Sequence, residues 1–451
     1  MEERARFLAG GVLEVRIHRG LHPLYYKDGA LHVGDTILES DAQRSTMMET
    51  AAGLLLPPIE EPRGDVGWLE GLARTYRSRV IIDEYTEAEA RLGGLARLLR
   101  ARPSYPAVSR MSLLRRLYPC IYNKALEDLG ALDEAYTVEH RRLGIDPQAP
   151  LQGLQGAKRS LAVARVAVAG YSALHPAVAL LARLPHHATG CTPHRLLVEP
   201  WRLLSLPEGT VSLDCGAVDR VVEDLAGPGY KCRSPNPISS SLDCQGPRGR
   251  VIVKSYMRMS PKWIPAALAA SPVYSYRLGP RERMEADYKY LRALRGTVET
   301  PIVHHVCGDL YNTKMVRSYL EGRVILHSRS PEDWSQAGKG LASIHKAGYT
   351  LGDTNPGNIL ATPTGKTGVI DAEQAREATP RGMAWDLIVL TVTSIFYGAP
   401  EDLITTLLAS YKDTIGKGPL EEALRERNWI GLLSIPIIVQ KSRNIIKKTI
   451  N

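Results

Sequence analysis

The sequence predicts an α+β protein whose C-terminal half contains a small β-rich region followed by a helical region. Short apolar strand candidates follow one another between residues 230 and 257. A helical pattern over 281–295 comes next, and further strand candidates lie around 303–306 and 314–319. The rest of the chain is mainly helical, apart from a short apolar strand at 368–370. This order of elements predicts a bilobal C-terminal domain.

The N-terminal half has a different character. It mixes strand and helix patterns, with a hairpin signal at Asp28-Gly29 and a capping-box pattern at Thr86 that predicts a helix to about Arg100. A chain of 451 residues is long enough for two or three domains. We predict a mixed α/β and helical domain of unknown function over 1–145, a helical and short-strand connecting region over 146–216, and a C-terminal domain over 217–451, divided into 217–322 and 323–451.

Charge and composition limit the partners. The hydrophobic content of 44% is typical of a folded globular protein. The net charge is +9, and basic residues outnumber acidic ones over 248–300. A basic region of this kind suits phosphate-rich ligands or RNA, although a solvated basic face fits equally well. The basic stretch 441–448 leaves the same two alternatives open, RNA or partner contact against a solvated terminal helix.

Six cysteines are present, and none forms a C-x-x-C pair. The N-terminus is acidic where a secretory signal would be basic, so we predict reduced cysteines and a cytoplasmic protein. The apolar stretch 161–184 contains Arg165 and Arg183, which favours a buried helix over a membrane span. A short run of metal-ligand residue types follows, and either a zinc site or a polar loop explains it. Its members are His186, His187, Cys191 and His194.

The strongest chemical signal is the stretch 352–358, with the sequence Gly-Asp-Thr-Asn-Pro-Gly-Asn. An Asp followed five residues later by an Asn matches the catalytic-loop pattern of kinases. In that pattern Asp353 orients the acceptor hydroxyl and Asn358 binds Mg²⁺. Eighteen residues after Asp353, the apolar strand at 368–370 ends at Asp371. This position suits a second Mg²⁺ ligand, close to the phosphates of ATP.

Lys254 ends the apolar run Val-Ile-Val at 251–253. A buried lysine is costly unless it has a charged partner. In a nucleotide site its partners are the phosphates and a helix carboxylate, whereas an exposed edge strand would need neither. We predict Glu285 on the helix 281–295 as that carboxylate. Glu282 and Asp287 remain alternatives, because spacing does not fix the roll of the helix.

A polar loop lies between the first two strand candidates of this region, over 234–241. A loop that covers the phosphates of ATP belongs at this place. It lacks the glycines of a phosphate cradle, so the hydroxyls of Ser239 and Ser240 are the predicted phosphate donors. A plain polar turn is the alternative.

Together these residues resemble the protein-kinase-like superfamily over about 218–400. The resemblance is strongest to two atypical branches, the RIO kinases and the kinase subunit of the KEOPS tRNA-modification complex. It implies that 314–322 is the hinge and that backbone groups of Ser318, Tyr319 and Leu320 bind adenine. It also implies that Asp386, in a Trp-Asp-Leu run, holds the catalytic loop.

The chain departs from this family at two places. Leu351 stands where the family usually has His or a similar polar residue. The run Asp371-Ala-Glu373 replaces Asp-Phe-Gly and is similar to the Asp-x-Glu pattern of aminoglycoside, choline and lipopolysaccharide-core kinases. Glu373 would then lie near the metal or on the surface. Only 14 residues separate Asp371 from Asp386, too few for a peptide-docking activation segment.

The sequence therefore predicts a kinase that uses ATP and Mg²⁺. The predicted phosphoacceptor is a protein Ser/Thr, or the chain itself. An RNA ribose or a small-molecule hydroxyl remains an alternative acceptor. A pseudokinase-like module that binds nucleotide within an RNA-associated complex is a further alternative, although such modules usually lose one of the residues retained here.

Overall fold

A computed structural model defines the fold. It describes residues 2–115, 117–154, 196–234, 241–256, 267–268, 270, 273–309, 312–432 and 435–451. The chain divides into two compact units, Met1–Leu213 and Asp214–Asn451, where the sequence predicted three regions. Among the residues described, no helix is long and apolar enough to cross a bilayer. The buried helix predicted at 161–184 lies outside them.

A five-stranded sheet opens the first unit. Its strands are β1 (Glu3–Ala9), β2 (Leu13–His18), β3 (Tyr25–Lys27), β4 (Ala30–Gly34) and β5 (Ile59–Gly64). They pair in the order β3-β4-β2-β1-β5, with β2 and β4 parallel and the other neighbours antiparallel. The predicted hairpin is confirmed, because Asp28 and Gly29 have φ of 52° and 78°, the left-handed pair that a tight two-residue turn requires.

Helices form most of the remainder of this unit. They are α1 (Asp35–Arg44), α2 (Val66–Leu92), α3 (Tyr105–Leu114), α4 (Pro119–Glu127), α5 (Leu129–Leu143) and α6 (Pro150–Gly153). The predicted helix start at Thr86 is wrong. Helix α2 begins after Asp65, whose carboxylate accepts a hydrogen bond from the amide of Trp68 (3.3 Å), and Thr86 lies well inside it. The Thr86 hydroxyl donates to the Ile82 carbonyl within the helix instead of capping its end (2.7 Å).

Three short strands complete the described part of the first unit. They are β6 (Arg100–Ala101), β7 (Leu204–Ser205) and β8 (Thr210–Ser212), which pair antiparallel in that order. Within the short-strand region predicted over 146–216, residues 196–199 form no strand and lead into a single 3₁₀ turn, Pro200–Arg202.

The second unit opens with the β-rich part that the sequence predicted. Its elements are α7 (Val218–Ala226), β9 (Lys231–Arg233), β10 (Ser241–Gly246), β11 (Gly249–Ser255), α8 (Pro280–Leu294), β12 (Val303–Gly308) and β13 (Thr313–Ser318). These strands pair antiparallel in the order β12-β13-β11-β10-β9. Lys254 lies opposite Met315 and Ile252 lies opposite Arg317. Since side chains alternate along a strand, Lys254 and Arg317 share one face.

The helical part follows. Its elements are β14 (Arg323–Val324), α9 (Pro331–Lys346), β15 (Tyr349–Thr350), β16 (Ile359–Ala361), β17 (Thr367–Val369), β18 (Arg376–Glu377), α10 (Pro380–Phe396), α11 (Glu401–Ile415), α12 (Gly418–Ala423) and α13 (Pro436–Ile450). Helices α9 and α11 pack closely, because a Cβ at Gly338 would lie 2.1 Å from the carbonyl oxygen of Leu407. The core beneath them contains the buried side chains of Trp334, Trp385 and Tyr411.

The cysteines among the described residues are paired, which corrects the prediction that they are reduced. Cys215 is bonded to Cys307, and Cys232 is bonded to Cys244. No cysteine in the described part of the chain is free. The second pair follows from strand register, because Cys244 on β10 lies directly opposite Cys232 on β9. Spacing alone does not reveal such a register, and the prediction of a cytoplasmic protein loses the support of reduced thiols.

Candidate active site

Lys254 lies at the centre of a buried charged cluster. Its side chain projects from β11 and is only 3% exposed. The ammonium nitrogen lies 2.9 Å from a carboxylate oxygen of Asp287, 2.9 Å from one of Asp371 and 3.4 Å from one of Glu373. These three carboxylates supply the partners that a buried lysine requires.

The helix carboxylate that pairs with Lys254 is Asp287, which corrects the choice of Glu285. Helix α8 is rolled so that Asp287 is fully buried and Glu285 is half-buried. Asp287 also accepts hydrogen bonds from the Tyr256 hydroxyl (2.5 Å) and from the backbone amide of Ala372 (2.8 Å). It therefore ties together strand β11, helix α8 and the segment that follows Asp371.

Two arginines complete the cluster. A guanidinium nitrogen of Arg283 lies 3.5 Å from Glu373, and one of Arg317 lies 3.6 Å from Asp287. Burial opposes the charge of Lys254, but the surrounding carboxylates outweigh it and raise the pKa of this lysine. Burial raises the pKa of Glu373 to about 7, against the opposing effect of Lys254. Three cations thus face three carboxylates, and burial favours the protonated form of Glu373.

The predicted catalytic loop is held by Asp386 on helix α10. The carboxylate of Asp386 accepts hydrogen bonds from the amides of Leu351 and Gly352, each at 2.7 Å. It also lies 3.0 Å from Nε2 of His345, and its backbone carbonyl accepts from the Thr354 hydroxyl (2.5 Å). Leu351 is buried, so an apolar residue fits the position where the resembling family has a polar one.

The hairpin of β16 and β17 brings Asp353, Asn358 and Asp371 close together. The side-chain amide of Asn358 donates to the backbone carbonyl of Asp353 (3.3 Å) and to its carboxylate (3.4 Å). Strands β16 and β17 pair Ile359 with Val369, which brings Asn358 and Asp371 to the same end of the hairpin. The carboxylate of Asp371 accepts from the amide of Glu373 (3.1 Å) and contacts Lys254. The geometry therefore joins four of the predicted site residues.

The predicted hinge, 314–322, consists of most of β13 and the residues that follow it. The amide of Ser318 donates to the carbonyl of Ile302 (2.8 Å), and the amide of Tyr319 donates to the carbonyl of Arg250 (3.4 Å). The Arg250 guanidinium also lies 3.6 Å from the centre of the Tyr319 ring, an arrangement that fixes this ring by a cation–π contact. Of the three predicted residues, Leu320 is the one whose amide has no partner among the described residues.

Two other predictions fall outside the described residues. These are the phosphate-contacting hydroxyls of Ser239 and Ser240, and the metal-ligand run at 186–194. In the part of the chain that is described, no group of three or more His, Cys, Asp or Glu side chains is arranged to hold a metal ion.

Sequence reasoning missed Tyr256, Arg317 and Tyr276. Tyr256 follows Lys254 by two residues and so lies on the same side of the extended chain, which the period of two would have indicated. Arg317 required the register of β11 against β13. The Tyr276 hydroxyl donates to the carbonyl of Gly352 (2.6 Å), a contact between residues far apart in sequence that no local pattern indicates.

No family model matches the chain. A 3-deoxy-D-manno-octulosonic acid kinase from Xylella fastidiosa (strain M12) is 25% identical to it over 190 residues, which correspond to 38% of this chain and 74% of that protein. Solved structures of WbdD show weaker likeness. One at high resolution has 13% identity and a TM-score of 0.28, covering 47% of this chain. Another, described as a bifunctional kinase-methyltransferase, has 14% identity and a TM-score of 0.27, covering 45% of this chain.

The chain spans about half the length of these WbdD structures. TM-scores this low do not establish a common overall fold. The sequence relative supports the enzyme class that the motifs predicted. The chain is therefore a kinase.

Proposed function

We propose that the chain transfers the γ-phosphate of ATP to a hydroxyl group of a sugar, and that its second unit is a bilobal kinase domain. The observation that carries the choice of acceptor is the relative that acts, by its name, on 3-deoxy-D-manno-octulosonic acid. The cluster around Lys254 and the adjacent loop 352–358 supply the residue types that phosphoryl transfer requires.

Asp353 is the proposed catalytic residue. Phosphoryl transfer requires an acceptor oxygen aimed at the γ-phosphorus and a group that accepts its proton. Asp353 directly follows Gly352, whose backbone is anchored at both of its polar groups. The amide of Gly352 donates to Asp386, and the carbonyl of Gly352 accepts from the Tyr276 hydroxyl. A carboxylate on such an anchored backbone can orient a hydroxyl without first paying the entropy of ordering the loop.

Asn358 and Asp371 are the proposed Mg²⁺ ligands. The amide nitrogen of Asn358 donates to Asp353, which turns its amide oxygen away from that carboxylate. Mg²⁺ takes oxygen ligands and commonly binds one or two protein groups together with phosphates and water, so this donor set fits. When bound, the ion would neutralise charge on the β- and γ-phosphates. Asp371 contacts Lys254, so both would meet the same phosphate region.

Lys254 is the proposed phosphate contact, and the backbone near Leu320 is the proposed adenine contact. Asp287 contacts the Lys254 ammonium group at 2.9 Å, which orients that group. The Ser318 and Tyr319 amides already donate within the fold. The Leu320 amide is the one of the three that we assign to adenine.

A sugar acceptor agrees with the short segment between Asp371 and Asp386. Only 14 residues lie between them, and part of this segment forms β18 and the start of α10. Little chain remains there to dock a polypeptide acceptor. The relative gives no support to the predicted protein Ser/Thr acceptor or to RNA, and the resemblance to RIO and KEOPS kinases stays a prediction.

The test is an acceptor screen with labelled ATP and Mg²⁺. The acceptors are 3-deoxy-D-manno-octulosonic acid, an aminoglycoside, a generic protein substrate, total RNA and the chain itself. We expect label on the octulosonic acid, and a loss of kcat of about 10²- to 10⁴-fold in Asp353→Asn. Asp413→Asn, an exposed carboxylate on α11, is the control that should keep full activity. Transfer to protein or RNA with none to sugar would refute the proposed acceptor.

A further inference from the structure

The segment 273–279 lies between β11 and α8 and packs along the residues that follow Asp371. The Tyr274 hydroxyl donates to the backbone carbonyl of Gln374 (2.7 Å). Arg277 and Gln374 exchange two hydrogen bonds, from the Arg277 amide to the Gln374 side chain (2.7 Å) and from the Gln374 side chain to the Arg277 carbonyl (3.0 Å). Arg277 also donates to the carbonyl of Ala375 (2.8 Å). The segment is thus fixed to the chain beyond the proposed metal ligand.

Tyr276, in the middle of this segment, reaches the catalytic loop. Its hydroxyl donates to the carbonyl oxygen of Gly352 (2.6 Å) and accepts a hydrogen bond from the indole N–H of Trp385 (3.1 Å). The two rings meet edge to face, with centroids 6.5 Å apart. The hydroxyl therefore has one donor and one acceptor partner, and the indole N–H holds it in place.

The hydrogen bond from the Tyr276 hydroxyl acts on the backbone directly before Asp353. The carbonyl oxygen of Gly352 belongs to the peptide group that joins Gly352 to Asp353. On its other side, the amide of Gly352 is bound by Asp386 (2.7 Å). With both neighbouring peptide groups anchored, Gly352 is held at φ of +74°, and the direction in which the chain enters Asp353 is fixed.

The electrostatics agree with this placement. Burial, followed by the charge of Asp353, raises the pKa of the Tyr276 phenol far above its ordinary value. At neutral pH the hydroxyl thus stays protonated and remains a donor.

We propose that Tyr276 is a positioning residue, whose hydroxyl holds the Gly352–Asp353 peptide so that the carboxylate of Asp353 faces the acceptor hydroxyl. In this arrangement an element from the β-rich part of the unit orients the catalytic loop. The inference rests on the proposed role of Asp353. It adds a residue that the catalytic motif itself does not contain.

The test compares Tyr276→Phe with Tyr274→Phe. Both changes remove one buried hydroxyl from the same segment, but the Tyr274 hydroxyl donates to Gln374 rather than to the Gly352–Asp353 peptide. We expect kcat for sugar phosphorylation to fall roughly 10- to 100-fold in Tyr276→Phe, with the KM for ATP unchanged. Tyr274→Phe should keep most of the activity. Equal kcat values in the two variants, or a change confined to KM, would overturn the proposal.

A second measurement does not depend on the acceptor. Hydrogen–deuterium exchange of a peptide covering 351–355 should be faster in Tyr276→Phe than in Tyr274→Phe or the unsubstituted protein. Equal exchange in all three would show that the hydroxyl does not hold the loop. If the unsubstituted protein phosphorylates no sugar, the proposed function fails, while the exchange comparison still decides the role of Tyr276.

Discussion

Replacing Asp287 by alanine should destabilise the second unit by about 3–5 kcal/mol. The side chain is fully buried and accepts from three donors, the Lys254 ammonium, the Tyr256 hydroxyl and the Ala372 amide, all within 2.9 Å. Alanine leaves all three buried with fewer partners, and each hydrogen bond to a charged group is worth about 1.5–3 kcal/mol. Lys254 keeps its contact with Asp371 in this variant, which limits the total loss of stability.

Thermal denaturation followed by circular dichroism measures this loss. A unit of this size loses about 2–4 °C of Tm for each kcal/mol. The expected decrease in Tm is therefore roughly 6–20 °C. The matched control is Glu285→Ala, on the same helix α8, where the half-buried position predicts a loss below about 1 kcal/mol.

The comparison also decides the roll of α8. If Glu285→Ala costs as much as Asp287→Ala, the helix is not oriented as described, and the assignment of the Lys254 partner fails. If neither substitution lowers Tm, the cluster does not stabilise this unit. Titration with ATP adds a second measurement, because Asp287→Ala should weaken nucleotide binding by releasing the ammonium group of Lys254 from its fixed position.

Three further substitutions test other parts of the unit. Gly352→Ala should lower both Tm and kcat, because φ is +74° and the new Cβ would lie 2.6 Å from the Tyr274 ring. The control is Gly348→Ala, at φ +87° with open space around it, which should show only the backbone strain of about 1–2 kcal/mol. Glu373→Gln should flatten the pH dependence of stability. The pKa of Glu373, raised to about 7, stabilises the native protein at low pH, and up to about 3 kcal/mol of this stability is lost as pH rises from about 4.5 to above 7. Equal slopes of unfolding free energy against pH in Glu373→Gln and in the unsubstituted protein would contradict the raised pKa. Cys215→Ser opens a disulfide that spans 92 residues and should cost about 2–5 kcal/mol, and a reductant should then lower Tm less in this variant than in the unsubstituted protein.

Local sequence was enough to place the loop 352–358 and Asp371. The two are joined by the short hairpin of β16 and β17, so their proximity follows mainly from pairing between residues close in sequence. The positions of Lys254 and of helix α8 also followed from apolar periodicity, because a strand and a helix each bury one side.

Contacts between distant segments could not be predicted in this way. The choice between Glu285 and Asp287 depends on how α8 rolls against the sheet, and the two differ by only two positions on a helix of mixed polarity. The bond between Cys232 and Cys244 depends on strand register. Thr86 has the local pattern of a cap, but its surroundings make it the interior of α2.

The charge balance of the site indicates which ion pairs would change when a nucleotide binds. Lys254, Arg283 and Arg317 face Asp287, Asp371 and Glu373, so the cluster is close to neutral before any ligand binds. If Asp371 binds Mg²⁺ as proposed, its contact with Lys254 must yield to a contact with the phosphates. The pair between Lys254 and Asp287 can persist through this exchange, since Asp287 is also fixed by two uncharged donors. The lysine would then change one partner and keep the other, so Mg²⁺ and ATP should each strengthen the binding of the other.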